Sequence, residues 1–379
     1  MNIVFGIFKY FPHGGLQRDM MLIAEELLRR GDRVTVFCHQ WDDDAPLPEG
    51  LTVKTLAARG WSNHARAESF IRKLGDELKN FPHDVFVAFN RIPGADVYFA
   101  ADNPFYLTAI RNVGKLGAWL LPRYRTFIAE ERGVFAPEAK TVVMCLTSRQ
   151  RDEYIEIYRT PPERFRLLPP GIPVDRKRPP EDEAAARRNA KRKELGVADD
   201  EALLLQIGSG FRTKGVDRSI AAFAALPNDF RDRIRLVVAG RGKERPLEKL
   251  ARKLGVDDRV KLLGPRDDVP DLLLAADLLV HPARNEAAGS VLIEALAAGL
   301  PVLCSGNCGF ADYVRESGGI VLKNPFSQRV FNKALRRVFL TPETLADLKQ
   351  NAIGYGQGSD FYRRAETACD IIRGEEEKK

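Results

Sequence analysis

Residues 277–295 read DLLVHPARNEAAGSVLIEA, and they say more about the fold than any other stretch of the chain. The apolar run ending at His281 predicts a buried strand, and the apolar segment after it predicts a helix that begins near Gly289. Along such a helix, Glu286 and Glu294 would be separated by about 12 Å of rise and roughly 80° of rotation. Carboxylates that far apart do not share a proton or a metal ion, but they can hold the two ends of one elongated polar ligand. Free N–H groups and the positive dipole end at the helix start would lie between them and suit a phosphate.

Two glutamates on a helix are also what a solvated surface face would contain. The small residues 287–289 and the apolar run around Glu294 make an idle surface face the weaker interpretation.

The length and composition indicate a two-domain globular protein with an anionic partner. The chain has 379 residues, which exceeds the size at which single cores stop growing. Its 44% hydrophobic and 29% charged residues are ordinary for a globular protein. The net charge of +7 favours nucleotide phosphates, an acidic lipid surface or nucleic acid. The sequence contains no RNA-binding signature or zinc-finger spacing, so we expect no nucleic acid partner.

The five cysteines are few and odd in number, which favours a reducing compartment over a disulfide framework. Cys304 and Cys308 lack a second ligand pair, so we predict no metal site. The first nine residues predict a buried strand rather than a secretory signal, and no apolar run is long enough to cross a bilayer. We therefore expect a cytoplasmic protein, or one attached to a membrane from its cytosolic side.

Short apolar runs alternate with helical patterns along the chain, which is typical of parallel sheets with crossover helices. The Pro-rich stretch 169–180 predicts a linker, and a charged helix is predicted after it at about 181–195. The predicted strands lie near 2–8, 33–38, 84–89, 142–147, 165–168, 202–207, 234–239, 259–263, 277–280, 301–304 and 319–322.

This pattern predicts an α/β chain of two facing Rossmann-like, doubly wound domains, at 1–170 and 171–355. Residues 356–379 are predicted to form a helix that crosses back to the first domain, followed by a frayed tail. Ligands bind outside the carboxyl ends of the strands in such sheets, so the expected site is a cleft between the two domains.

Residues 105–128 contain four cations and no acidic residue, with aromatic and aliphatic residues between the charges. A basic amphipathic stretch of this kind suits an anionic membrane surface. An ordinary helical pair packed on the domain is an equal alternative, and nucleic acid is a weaker third. The cations are Arg111, Lys115, Arg123 and Arg125.

Two glycine-containing loops follow strands. The first, at 9–19, has Gly14 and Gly15 before an amphipathic helix at about 15–30; the glycines either let backbone approach a ligand or simply make the turn. The second, at 206–215, fits neither the dinucleotide-binding nor the Walker A spacing. It does carry Arg212 and Lys214, two cations able to neutralise a diphosphate.

Asp102 ends a short apolar run that begins at Val97. Its carboxylate would either face a ligand or cap the following helix. His281 precedes a proline at a strand end, where a structural hydrogen bond is expected rather than the role of a base.

These residues together resemble glycosyltransferase family 4. The resemblance rests on Glu286-x7-Glu294, on Gly208 with Lys214-Gly215, and on residues 268–277. It covers the whole chain, and within the family three first-half segments resemble the lipopolysaccharide core glucosyltransferases: residues 8–19, 97–102 and 168–172.

The resemblance implies a GT-B fold and a metal-independent transferase that retains anomeric configuration. It implies UDP-glucose as donor, UDP as product, no further cofactor, and a heptose of the lipopolysaccharide inner core as acceptor. It also implies a monomer attached peripherally to the cytoplasmic face of the inner membrane, with residues 105–128 as the membrane-associated segment.

The resemblance assigns a role to each candidate residue. Glu286 would hydrogen-bond hydroxyls of the donor sugar, Glu294 would bind the ribose hydroxyls, and Lys214 with Arg212 would bind the diphosphate. The other implied contacts are the N–H groups of Ala288, Gly289 and Ser290 at the phosphates, backbone from Gly264 to Arg266 at the uracil, Gly14 and Gly15 over the phosphates, Asp19 on the acceptor side, and Asp102 close to the anomeric carbon. One position departs from the family pattern, because Ser209 stands where many members carry an arginine.

Two mechanisms and three rival functions stay open at this stage. The leaving phosphate takes the acceptor's proton in a same-face displacement, or Asp102 acts as nucleophile in a double displacement. The rivals are another family 4 transferase with a different UDP- or GDP-sugar, a UDP-sugar 2-epimerase, and a non-catalytic membrane-surface protein that binds sugar nucleotides.

Overall fold

The computed structural model describes residues 1–12, 14–42 and 47–375. The chain divides into two compact units: the first contains residues 1–171 and the segment from Arg363 onward, and the second contains Ile172–Tyr362. Each of the strands predicted above is present, and so are the parallel sheets.

The described residues of the first unit form a seven-stranded parallel sheet in the order β3-β2-β1-β4-β5-β6-β7. Its strands are β1 (Asn2–Lys9), β2 (Arg33–Gln40), β3 (Thr52–Thr55), β4 (Val85–Ala88), β5 (Val97–Ala100), β6 (Val142–Cys145) and β7 (Phe165–Leu167). The crossover helices are α1 (Gly15–Arg29), α2 (Asn63–Leu78), α3 (Phe105–Leu120), α4 (Pro122–Phe135) and α5 (Ser148–Tyr158).

Two strands of this sheet were not predicted. β3 is a four-residue edge strand whose residues are mostly exposed, so it lacks the apolar run that marks a buried strand. β5 is equally short but completely buried, and its apolar run is too short to predict a strand by itself. Pairing with neighbouring strands places both segments in the sheet.

The described residues of the second unit form a six-stranded parallel sheet in the order β10-β9-β8-β11-β12-β13. The unit contains α6 (Glu181–Leu195), β8 (Ala202–Ile207), α7 (Phe211–Lys214), α8 (Val216–Ala224), α9 (Asn228–Arg231), β9 (Ile234–Ala239), α10 (Glu244–Lys253), β10 (Val260–Leu262), α11 (Val269–Ala275), β11 (Leu278–His281), α12 (Ser290–Ala297), β12 (Val302–Ser305), α13 (Ala311–Glu316), β13 (Ile320–Leu322), α14 (Gln328–Leu340) and α15 (Pro342–Gly358).

The chain then returns to the first unit as α16 (Arg364–Arg373), which packs on α1. Residues 356–362 were predicted to belong to this returning segment, but they belong to the second unit. The reason is Phe361, which is 2% exposed and packs against the rings of Tyr313 and Tyr355. Residues 376–379 of the predicted frayed tail lie outside the described residues.

Each sheet reverses its strand order beside its first strand, between β1 and β4 in the first unit and between β8 and β11 in the second. At such a point the loops leaving adjacent strands diverge and open a crevice at the carboxyl edge of the sheet. The topology thus points to the loops after β1, β8 and β11 as the ones that can contact a ligand.

None of the helices in the described ranges is long and apolar enough to cross a membrane.

Candidate functional site

The loop after β8 is fixed against the end of β11. Gly215 has φ +74°, and a Cβ there would lie 2.2 Å from the carbonyl oxygen of Pro282, so only glycine allows this approach. Gln206 Nε2 donates to the carbonyl of Lys214 at 2.8 Å. Two neighbouring loops of the sheet are thereby held in contact, and Lys214 is placed at the carboxyl end of β11.

Lys214, Glu286 and His281 form a buried polar cluster at this edge. Lys214 Nζ donates to Glu286 Oε2 in a short ion pair, and His281 Nε2 bonds the same oxygen at 3.1 Å. His281 is 0% exposed, in agreement with the structural hydrogen bond expected for it.

The cluster keeps Glu286 ionised. Burial alone would raise the pKa of this carboxyl, but the His281 hydrogen bond and the Lys214 charge outweigh burial and lower the pKa to about 2. A carboxylate that is negative at neutral pH is a strong hydrogen-bond acceptor, and sugar hydroxyls are the donors that it would suit.

The helix begins close to its predicted start near Gly289, but the two glutamates do not both lie on it, as the calculated rise and rotation assumed. α12 begins at Ser290 with Gly289 as its N-cap at φ +91°, and Glu286 precedes it, paired with Cys308 in an isolated parallel bridge. The left-handed conformation at Gly289 breaks the helical path that the apolar pattern suggested. The rise and rotation calculated along a helix therefore do not describe this pair.

Glu294 does lie on α12 and is 5% exposed. Its Oε2 atom is 3.7 Å from Nε of Arg176. Of the three residues expected to offer N–H groups to a phosphate, Ser290 starts the helix, Gly289 caps it, and Ala288 accepts the N–H of Phe310 through its carbonyl at 2.8 Å. They thus stand at the N-terminal end of an eight-residue helix, whose dipole favours an anion.

Arg284, which no sequence pattern marked, holds the loop that carries Lys214 in place. Its guanidinium pairs with Asp217 through two bonds of 2.7 Å and donates to the carbonyl of Arg212 at 2.8 Å. Its N–H donates to the carbonyl of Thr213 at 2.8 Å. No local pattern marks Arg284, because its side-chain partners Asp217 and Arg212 lie 67 and 72 positions away in the sequence.

Arg212 is exposed on α7. Ser209, at the family's arginine position, accepts the N–H of Arg241 at 3.2 Å. Gly264 accepts the N–H of Gly240 at 2.7 Å, so the loop after β10 lies beside the loop after β9. The side chain of Arg266 donates to Asp268 at 2.7 Å and to Glu194 at 3.0 Å.

In the first unit, Gly14 is the N-cap of α1 and Gly15 its first residue. A Cβ on Gly14 would lie 1.9 Å from the side-chain oxygen of Gln17, whereas one on Gly15 would meet nothing within 4 Å. A side chain at position 14 would therefore displace that of Gln17, whereas Gly15 leaves open space at the helix start. His13 of the same loop lies outside the described residues.

Asp19, expected near the acceptor, is buried in an ion pair. Arg364 of α16 donates through Nη1 to both carboxylate oxygens at 3.1 and 3.0 Å, and through Nε to the carbonyl of Pro169 at 3.1 Å. Asp19 is 8% exposed. This contact joins α1 to the returning helix and gives Asp19 a structural task that its sequence position did not reveal.

Asp102 is exposed, and it does not cap α3, whose N-cap is Pro104. The backbone beneath it is held by Gln150 Nε2 at 2.6 Å and by the Tyr154 hydroxyl at 3.1 Å, both of which donate to the carbonyl of Asp102. The capping alternative is thus wrong, and the carboxylate is presented on a rigid loop.

Glu131 accepts hydrogen bonds from the backbone N–H groups at the start of α3, and no sequence pattern marked it. It is 0% exposed and accepts hydrogen bonds from the N–H groups of Phe105 at 2.6 Å and Tyr106 at 3.0 Å. It also pairs with Arg91 Nε at 2.9 Å and accepts the Tyr158 hydroxyl at 2.6 Å. The start of helix α3 thus depends on one buried carboxylate.

Among the described residues, no group of three or more His, Cys, Asp or Glu side chains is placed to hold a metal ion. The five cysteines, all within those residues, are buried free thiols.

Comparison with known proteins agrees with this architecture. The family described as Glycosyl transferases group 1 matches residues 187–354, and that described as Glycosyltransferase Family 4 matches residues 13–176. The chain is 41% identical over 375 residues to the lipopolysaccharide glucosyltransferase WaaG of Escherichia coli (strain K12), covering 99% of each protein. This chain belongs to glycosyltransferase family 4.

The solved structures show the same fold. The crystal structure of WaaG, a glycosyltransferase involved in lipopolysaccharide biosynthesis, aligns with a TM-score of 0.92 over 98% of this chain and all of that one, at 41% identity. The Anabaena protein HepE, solved in complex with UDP and glucose, aligns with a TM-score of 0.76 over 99% of this chain and all of that one. Its 18% identity supports the fold alone.

Proposed function

We propose that this glycosyltransferase moves glucose from UDP-glucose to a heptose of the lipopolysaccharide inner core, with retention of configuration and without a metal ion. The observation that carries the proposal is the Lys214–Glu286–His281 cluster, set at the carboxyl edge of the second sheet beside the start of α12. The 41% identity to a lipopolysaccharide glucosyltransferase over 99% of the chain supports the donor sugar and the acceptor.

The cluster suits the two halves of such a donor. The ionised carboxylate of Glu286 accepts hydrogen bonds from the sugar hydroxyls, and the charge of Lys214 meets the diphosphate. The positive end of α12 adds to that charge at Gly289 and Ser290. Negative charge grows on the leaving UDP as the glycosidic bond breaks, so groups preorganised around the phosphates lower the barrier.

We also propose roles for the other candidate residues. Arg212 is exposed on the loop of Lys214 and is proposed as a second cation for the diphosphate. Backbone from Gly264 to Arg266 is proposed to meet the uracil, Gly15 with Gly14 the phosphates, and Glu294 the ribose. Asp102 is proposed to stabilise positive charge at the anomeric carbon.

The experiment that tests the function pairs binding with transfer. Calorimetry with a panel of UDP- and GDP-sugars is followed by transfer assays on lipopolysaccharide cores truncated before the first hexose. We expect UDP-glucose to bind and one glucosyl unit to be added to the core. A new free sugar released without acceptor would identify an epimerase, and UDP binding without turnover on any core would identify a non-catalytic binder.

We also propose that α3 and α4 attach the protein to an anionic membrane surface. Large apolar side chains are exposed along this pair: Leu116 is 68% exposed, Trp119 69%, Leu120 54% and Leu121 44%. The cations at 111, 115, 123 and 125 are exposed on the same helices. Apolar anchors interleaved with cations are the features that bind an anionic lipid interface.

Replacing Arg123 and Arg125 by glutamine should weaken binding to anionic liposomes about tenfold or more, because each cation near such a surface contributes about 1 kcal/mol. Transfer to a soluble core acceptor should stay nearly unchanged. Liposome co-sedimentation measures the first effect, and the double variant Lys249→Gln with Lys261→Gln, at exposed positions of the second unit, is the matched control. Equal liposome binding by both double variants would refute the membrane role.

A further inference from the structure

Helix α14 of the second unit has one buried face and one exposed face. Phe331, Leu335 and Val338 are at most 1% exposed and hold the helix on the unit, where it packs against α8 and α15. The Ser327 hydroxyl accepts the N–H of Val330 at 3.4 Å and fixes the start of the helix. These contacts set the orientation of α14 and so decide which of its side chains face solvent.

The exposed face of α14 combines positive charge with apolar side chains. An α-helix turns by about 100° per residue, so positions 329, 330, 333, 336, 337 and 340 lie within roughly 120° of one another around its axis. Two of these positions carry Val330, which is 48% exposed, and Leu340, which is 43% exposed. The other four carry exposed cations: Arg329, Lys333, Arg336 and Arg337. We call these six side chains the basic face of α14.

No carboxylate neutralises the basic face within the described parts of the chain. The sequence 317–342 contains no Asp or Glu. Among the residues that the structure describes, none forms an ion pair or a hydrogen bond with the side chains of the four cations. On other helices of this unit, by contrast, Arg187 pairs with Asp271 at 2.7 Å and Arg315 pairs with Asp312.

The charge pattern is unfavourable for an isolated helix. Arg329 stands in the first turn, where the positive end of the helix dipole disfavours a cation. Lys333 lies four residues from both Arg329 and Arg337, and like charges at that spacing destabilise a helix. An ordinary solvated surface mixes the two signs, as α10 does in the same unit. The unmixed charge therefore points to an anionic partner outside the chain.

We propose that the basic face of α14 binds an anionic lipid surface and gives the second unit a membrane contact of its own. The inference rests on the proposed attachment of the first unit through α3 and α4, and adds a contact on a separate unit. Arg and Lys side chains reach lipid phosphates while their apolar stems lie along the interface. Val330 and Leu340 stand among these cations and suit a lipid interface, because aliphatic side chains leave water there. Contacts to a nucleic acid backbone are made to phosphates and sugars, which offer aliphatic side chains no such gain.

The test is co-sedimentation of the full chain with vesicles of phosphatidylglycerol and phosphatidylcholine. Lys333→Gln with Arg336→Gln removes two charges from the middle of the basic face and should weaken binding about tenfold or more. The control is Lys249→Gln with Arg252→Gln, which removes one lysine and one arginine at the same spacing from the exposed surface of α10. The control should leave vesicle binding unchanged, and both double variants should transfer glucose to a soluble core at the normal rate.

A second measurement reports contact at α14 directly. The five native cysteines are buried, so a thiol-reactive, environment-sensitive fluorophore labels Val330→Cys selectively, and this variant keeps all four cations. We expect its emission to shift to the blue on the anionic vesicles, because the label leaves water at the lipid interface. The same label on Lys249→Cys, at an exposed position of α10, should not shift.

Every other result overturns the inference. Unchanged vesicle binding by the α14 double variant, or no blue shift at position 330, would leave the first unit as the membrane contact. An equal loss for the α14 and α10 double variants would show a dependence on net charge alone. Weaker binding to duplex DNA with unchanged binding to vesicles would assign the basic face to a nucleic acid partner. If the unaltered chain bound no anionic vesicles, both membrane proposals would fail, while the proposed glucosyl transfer would stand.

Discussion

Glu286→Gln is expected to lower the kcat of glucosyl transfer about a hundredfold or more, the range seen when one preorganised group at a reacting centre is removed. Glutamine keeps the shape of the side chain but loses the negative charge. The neutral amide accepts weaker hydrogen bonds from sugar hydroxyls, and it no longer balances Lys214, which pairs with this carboxylate in the folded protein. Steady-state transfer from UDP-glucose to a truncated core measures the loss.

The control for this variant is Glu248→Gln, which changes an exposed glutamate on α10 in the same unit. Glu248→Gln should transfer at the normal rate, and circular dichroism should show both variants folded. Near-normal turnover of Glu286→Gln would remove this carboxylate from the proposed mechanism, whatever its effect on stability.

Glu131→Ala is expected to lower the free energy of unfolding of the first unit by about 3–5 kcal/mol, the cost of breaking a buried ion pair from one side. The change leaves the guanidinium of Arg91 without its carboxylate and removes the acceptor of two N–H groups at the start of α3. It also removes the hydrogen-bond acceptor of the Tyr158 hydroxyl. Burial and the Glu131 charge raise the pKa of that hydroxyl well above its ordinary value.

Urea denaturation followed by tryptophan fluorescence measures this effect selectively. All three tryptophans, at 41, 61 and 119, lie in the first unit, so the signal reports that unit. The control is Glu138→Ala, at an exposed position just after α4, the helix that contains Glu131. It should change the free energy of unfolding by less than about 0.5 kcal/mol. A similarly small effect for Glu131→Ala would mean that Arg91, Phe105 and Tyr106 find other partners.

Most strands could be predicted from the sequence because buried parallel strands are continuous apolar runs. Runs such as 202–207 and 234–239 are apolar along their length, as strands covered on both faces must be. β3 was not predicted because an exposed edge strand needs no apolar run. Its pairing with β2 comes from main-chain hydrogen bonds that any sequence can make. Residues 356–362 were misassigned because the ring contacts of Phe361 join residues far apart in sequence.

Site residues could be predicted from the sequence where a charged residue follows a strand. They could not be predicted where a contact between distant residues sets their role. Lys214 and Glu286 stood out because each follows a strand and carries charge, but their ion pair brings together residues 72 positions apart. Arg284 and Glu131 were not predicted for the same reason, because their partners Asp217 and Arg91 lie 67 and 40 positions away in the sequence. Nor was the pairing of Asp19 with Arg364, which removes Asp19 from any open surface.

By itself, the sequence determined the two parallel-sheet units, the family, and which charged residues stand at the carboxyl ends of strands, because these depend on local apolar pattern and loop chemistry. Only the tertiary structure decided which of those charges meet. Glu286 lies outside α12 because Gly289, in the left-handed region, caps the helix three residues after it. Its carboxylate stays ionised because folding brings His281 and Lys214 to one oxygen, and no local pattern encodes a contact between separate loops.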